Sequence, residues 1–114
     1  MLNLVRVKDI AVYPDGTETS GREAYQNYGK FSGPVLERVG GSILWRGSFE
    51  TVLIGPSDER WDFCFIARYP TAGAFLAMVT DPEYHEAVVH RTAAVEDSRL
   101  IRTGELEAGG GFSG

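Results

Sequence analysis

Trp61-Asp62-Phe63-Cys64-Phe65-Ile66-Ala67-Arg68-Tyr69 is the stretch that decides the fold. Its odd positions carry Trp61, Phe63, Phe65, Ala67 and Tyr69, and its even positions carry Asp62, Cys64, Ile66 and Arg68. A period of two with aromatic enrichment predicts a β-strand. Both of its faces hold large apolar groups, so both need cover.

The preceding segment, Ser42 to Ile54, reads as a long partner strand. Ile43, Trp45, Phe49, Thr51 and Leu53 fall on one face, and Leu44, Arg46, Glu50, Val52 and Ile54 on the other. Gly47 marks a bulge candidate within it. The turn-rich loop Gly55 to Arg60 would join the two strands as a hairpin. Upstream, Ser20 and Glu23 match a capping box, and Ala24, Tyr28, Phe31, Val35 and Val39 recur on one helical face. Gly33-Pro34 predicts a kink or break there, and Gly40-Gly41 a left-handed C-cap. Before that helix, Leu2 to Val7 alternates as a strand that could run on to Val12, and Tyr13-Pro14-Asp15-Gly16 is a turn. Downstream, Thr71 caps a short helix, Ala72 to Val79. Asp81 with Pro82 opens another that runs to about Ala94, and Ser98 to Thr103 closes the chain as a strand.

The order strand, helix, strand, strand, helix, strand suits an α+β fold. The arrangement expected is a ferredoxin-like βαββαβ sandwich, an antiparallel four-stranded sheet with helices on one face. One domain, residues 1–103, holds it. Residues 104–114, with five glycines, are expected to be a flexible tail in which Phe112 could anchor the end on a partner subunit.

The 114 residues are 43% hydrophobic and 24% charged, with a net charge of -5. That balance argues against nucleic acid as a partner, because an acidic chain repels phosphate backbones. No run of about 18 apolar residues predicts a membrane span, and the N-terminus lacks an export pattern. The single cysteine, Cys64, cannot form an intramolecular disulfide or build a zinc site alone, which points to a reducing, cytoplasmic setting. It reads as a small buried hydrophobe.

Helices can cover only one face of this sheet, and the other would expose several hundred Å² of apolar surface, which monomers rarely tolerate. Covering about 400 Å² is worth on the order of 10 kcal/mol before association costs. A second copy, sheet against sheet, is the expected partner, and a monomer with its tail or loop folded over the face is the alternative.

The chain resembles the domain-of-unknown-function-1330 family (DUF1330), within the dimeric α+β barrel superfamily. The matching residues are Ala24-Tyr25-Gln26-Asn27-Tyr28, Val39-Gly40-Gly41, Phe63-Cys64-Phe65-Ile66, Tyr69-Pro70-Thr71, Asp81-Pro82-Glu83-Tyr84 and His90-Arg91-Thr92-Ala93-Ala94. The resemblance implies a ferredoxin-like protomer whose sheet joins its partner's into a barrel across a homodimer. It implies little about chemistry, since fold does not fix function.

Arg91 leads the candidate site residues. It shares a helical stripe with Tyr84, Ala87, Val88 and Val95, so it faces inward and must find an anion or carbonyls. Either it clamps a carboxylate or enolate, or it pairs with an internal acid such as Glu50, Asp62 or Asp97, or with helix-end carbonyls. His90 is the acid–base candidate beside it, with a solvated or subunit-contact role as the alternative. Tyr84, Tyr28 and Tyr69 are candidates to orient a substrate oxygen or to pack with satisfied hydroxyls. Arg46 is either a cavity cation or half of a dimer-face ion pair. No metal site and no cofactor is expected, since neither acid clusters at ligand spacing nor glycine signatures for nucleotides occur. Three readings stay open: a cofactor-independent enzyme acting on a small carbonyl-containing or aromatic metabolite, a non-catalytic small-molecule-binding dimer, and a structural dimer. The enzyme reading requires a closed cavity lined by Tyr84 and Arg91 with a titratable group pointing in, the binding reading a cavity without one, and the structural reading no cavity and a fully bonded Arg91.

Overall fold

The computed structural model describes residues 1–113. The chain is an α+β protein: a four-stranded antiparallel sheet carries helices on one face. In chain order the elements are β1 (Leu2–Val7), β2 (Ile10–Val12), β3 (Glu18–Ser20), α1 (Gly21–Arg38), β4 (Ser42–Gly47), β5 (Phe63–Arg68), α2 (Ala72–Val79), α3 (Pro82–Ala94) and β6 (Val95–Ile101). The large sheet has the order β4-β5-β1-β6, and β2 and β3 form a separate two-stranded ribbon.

Val5, Val7, Ala11, Ala24, Tyr25, Ala93 and Ala94 make the core, between β1 and the helices α1 and α3. The helix ends follow from their caps. Ser20 Oγ accepts from the Glu23 amide at 3.0 Å. The Glu23 carboxylate takes the Thr19 hydroxyl at 2.6 Å, so only half of the expected capping box forms. Thr71 and Asp81 cap α2 and α3 as expected. Gly40, with φ of 84°, closes α1.

Four expectations are corrected. Pro34 lies inside one continuous α1 and does not divide it. The lost backbone bond is offset by packing of α1 along α3, to which Arg38 is tied through Asp81 at 2.9 Å and Glu83 at 3.4 Å. The strand expected to reach Ile54 ends at Gly47, and 48–62 has no helix or strand. It stops for want of a partner: β5 begins only at Phe63, and Asp62 ahead of it is engaged with β1, its amide on the Val5 carbonyl and its carboxylate on the Val7 amide. The last strand starts at Val95, where pairing with Val7 takes over directly from α3. The segment expected to extend the first strand instead turns back as the β2–β3 ribbon, with Ile10 opposite Ser20.

A fifth difference bears on the site. The bulge falls at Leu44, not Gly47: Ile43 pairs with Ala67 and Trp45 with Ile66, leaving Leu44 over. Alternation is thereby broken, and Ile43 and Arg46 both take the helix-covered face while Trp45 takes the outer one. The Trp45 ring lies over Gly47, where a Cβ would come within 2.3 Å of it.

The outer face of the sheet carries Leu2, Leu4, Cys64, Ile66, Trp45 and Ile101. No helix covers it, and the molecule is only 16 Å through its thinnest axis. Leu44 and Trp45 are each 53% exposed. The 48–62 loop holds Leu53 and Ile54 out in solvent, as the tail does Leu106 and Phe112. The radius of gyration is 15.5 Å, against about 13 Å for a compact chain of this length. The tail touches the body through Arg68 and Glu105 at 3.7 Å. The flexible tail was expected over 104–114, of which Gly114 lies outside the described residues.

Candidate functional site

Between α1 and the inner face of the sheet lies a half-open cavity of about 280 Å³. Helix α1 supplies Tyr25, Tyr28, Ser32 and Leu36 as its roof, spaced i, i+3, i+7 and i+11 on one stripe. The floor is Asn3, Phe63, Phe65 and Ala67, all on the helix-facing side of β1 and β5. Ile43 and Arg46 come from β4, Tyr69 and Met78 close one end, and Arg91 enters from α3. The walls are aromatic: Tyr25 lies 4.6 Å from Phe63, ring centre to ring centre, and 5.4 Å from Tyr28.

Arg91 is half-buried. Its Nη2 donates to Ser98 Oγ at 3.2 Å. Among the described residues no carboxylate pairs with it. Asp62 faces Arg22 at 3.8 Å and Arg60 at 3.6 Å, and Asp97 faces Arg99 at 2.7 Å. Glu50, the third acid considered from sequence, forms no ion pair among these residues. Arg46 and Arg102 likewise have no acid partner among the described residues. By contrast Arg6, Arg22, Arg38, Arg60, Arg68 and Arg99 each have one. No Asp, Glu or His lines the cavity.

Tyr28 and Tyr84 share a hydroxyl–hydroxyl hydrogen bond of 2.9 Å, so Tyr84 stands behind the cavity wall and holds Tyr28 in place. Burial pushes the Tyr25 hydroxyl up to about 12, with the Arg91 charge opposing. Burial and the neighbouring Tyr84 raise Tyr28 further. Tyr69 is raised mainly by burial, and its hydroxyl donates to Met78 Sδ at 3.5 Å. These phenols stay neutral and can only donate or accept hydrogen bonds at ordinary pH.

His90 is not in this group. Its ring stacks on Phe31 at 5.2 Å, and its Nδ1 meets the Tyr13 hydroxyl at 2.6 Å. It borders a surface groove with Glu83 and Glu86. Phe31, expected on the buried stripe of α1, is turned out to make that stack and is 51% exposed. His85 meets the Val79 carbonyl at 3.0 Å at the end of α2. Of the residues singled out from sequence, the structure brings together Arg91, Arg46, Tyr28 and Tyr69, with Tyr84 one layer behind. Tyr25, Asn3 and Ser98 were not singled out. The i, i+3 spacing of Tyr25 and Tyr28 was the available signal for the first. Asn3 and Ser98 depend on pairing across β1 and β6, which alternation within one strand does not reveal. Among the described residues no group of three or more His, Cys, Asp or Glu could hold a metal ion.

Fold and cavity together define a small α+β protein with an aromatic, positively charged chamber under its helices. The chain belongs to the DUF1330 family, a domain of unknown function, whose model matches residues 16–104. It is 61% identical to the methylated RPA0582 protein in its crystal structure, with a TM-score of 0.92 over 95% of this chain and 80% of that one. A second crystal structure, of RPA0582 as a protein of unknown function from Rhodopseudomonas palustris, is 60% identical, with a TM-score of 0.89 over 93% and 80%. No curated protein matches the chain. No helix is long and apolar enough to cross a membrane.

Proposed function

We propose that the protein is a homodimer of ferredoxin-like protomers, joined as a dimeric α+β barrel, in which each copy binds a small carbonyl-containing or aromatic anion. The observation that carries the binding reading is Arg91, a cavity-lining guanidinium without a carboxylate partner among the described residues. Its one hydroxyl contact leaves most of its donors free for a carboxylate, which a guanidinium meets with two parallel bonds. Tyr25 and Tyr28 add neutral donors, and their rings supply apolar contact. The cavity, at about 280 Å³, is at the small end for ligand sites, which fits a metabolite of one ring.

Homodimer formation is supported by the bare outer face of the sheet, where Leu4, Ile66 and Trp45 present a contiguous apolar surface. The lone cysteine fits a cytoplasmic setting, and the negative net charge fits a protein that binds neither nucleic acid nor membrane.

A cofactor-independent reaction is the second reading. Favouring it is the Tyr28–Tyr84 hydroxyl pair, a neutral acid close enough to Arg91 to feel its charge. Arg91 would stabilise an enolate while the neutral Tyr28 hydroxyl donated a hydrogen bond to its oxygen. His90 stands apart from the cavity and has no part in either reading.

The test is thermal stability with benzoate. Benzoate should raise the melting temperature of the wild-type protein and leave Arg91→Ala unmoved, since ligand binding stabilises only the state that binds. A wild-type protein indifferent to millimolar benzoate would overturn the reading. Native mass spectrometry of the purified protein gives the subunit count and any retained ligand together.

A further inference from the structure

We infer that the cavity is shaped for a rigid aromatic dianion held at both ends, its inner anionic group on Arg91 and its outer one on Arg46. The inference rests on the anion-binding reading above and deepens it.

Strand pairing places the two cations. Arg46 on β4 lies opposite Phe65 on β5, Phe65 opposite Asn3 on β1, and Asn3 opposite Leu100 on β6. These four form one row across the helix-covered face. Arg91 reaches down from α3 to Ser98, two residues from Leu100 and on the same face of β6. Arg46 therefore comes from one edge strand, while Arg91, on α3, is tethered through Ser98 to the other, with β5 and β1 between the two anchor points. The edge backbones stand about 14 Å apart, three strand spacings. Each guanidinium can take a carboxylate of its own. A flat ring with an anion at each end has the right form, and Phe65 and Tyr28 line the cavity with aromatic surface beside the Tyr25–Phe63 pair, whose rings already touch each other.

Charge leads to the same ligand. The chain carries a net charge of -5, yet its cavity holds two guanidiniums and no carboxylate. A monoanion would leave one cation uncompensated, whereas a dianion neutralises both. The ends also differ: Arg91 is half-buried and Arg46 exposed at the mouth, so the inner contact fixes affinity and the outer one selects between ligands.

The test is calorimetry of the full-length protein at low salt with terephthalate, its monomethyl ester and benzoate. Terephthalate should bind about five- to tenfold more tightly than either monoanion. Rising salt should erode that preference, because the outer pair is exposed to solvent. Arg46→Gln should bring the ratio of terephthalate to benzoate affinity close to one, and Arg46→Lys should restore part of it. Equal binding of terephthalate and benzoate by the wild-type protein would overturn the two-ended ligand while leaving the anion clamp standing. So would a preference that survives Arg46→Gln. Failure of all three compounds to bind would remove the anion clamp, and this inference with it.

Discussion

The Arg91 guanidinium meets Ser98 Oγ at 3.2 Å, and that hydroxyl is its only hydrogen-bond partner among the described residues. An inward cation held so lightly contributes little to folding. Arg91→Ala should change the free energy of unfolding by less than about 1 kcal/mol, the worth of one such bond. Urea denaturation measures it. A loss of about 3–5 kcal/mol would instead mark a buried ion pair and would contradict the free clamp.

Tyr28 and Tyr84 are joined hydroxyl to hydroxyl at 2.9 Å. Tyr28→Phe should cost about 1 kcal/mol, as should Tyr84→Phe, and the double variant should cost less than the two added. A double-mutant cycle in urea gives the coupling. Strict additivity would show that the pair contributes nothing as a pair.

Ile66 sits at the centre of the bare sheet face. Ile66→Asp should split the proposed dimer, shifting the light-scattering mass from about twice 12.5 kDa to 12.5 kDa while circular dichroism stays that of the folded chain. A wild-type protein that is already a single chain at micromolar concentration would refute the sheet-to-sheet homodimer.

Gly21 begins α1 against the end of β1. A Cβ there would lie 1.8 Å from the Lys8 carbonyl oxygen, a backbone atom that cannot swing aside. Gly21→Ala should therefore destabilise by more than about 2 kcal/mol, lowering the melting temperature by at least several degrees. An unchanged melting curve would mean that this corner is looser than drawn.

Asp81 is held below its ordinary value of 3.8 first by the Glu83 backbone amide, which donates to its carboxylate at the start of α3, and then by Arg38. The Arg99 side chain does the same for Asp97, with help from the Ser98 amide and from Arg6. A carboxyl whose folded value is depressed adds stability that is fully present above its unfolded value and is lost as pH falls through the folded one. Stability should hold above about pH 4 and fall below it. Asp81→Asn should flatten that fall, which acid titration followed by circular dichroism would show.

Much of this architecture is legible in the residues, and the failures have physical causes. Ser20, Thr71 and Asp81 announce three helix starts because capping is local chemistry. The alternation of Phe63 to Arg68 announces a strand because one residue type per face suffices. Alternation beyond Gly47 misleads, since a strand needs a neighbour as well as a pattern, and none reaches 48–54. The β2–β3 ribbon escapes notice because three-residue strands carry too little periodicity. Arg91 was legible as an inward cation from its stripe. Its lack of an acid was not, because the nearby acids choose Arg22, Arg60 and Arg99 through contacts far apart in sequence. His90 and Arg91 are adjacent in sequence yet look different ways, as neighbours on a helix do.

The surplus Leu44 gives β4 two readings of the same letters. Bulged, it offers a guanidinium to the cavity. Paired without a skip, it would offer an indole and send the guanidinium to the outer face of the sheet. Chemistry at this edge is thus encoded by spacing as well as by identity, and a relative with an arginine aligned to Arg46 shares its role only if it also keeps the skip.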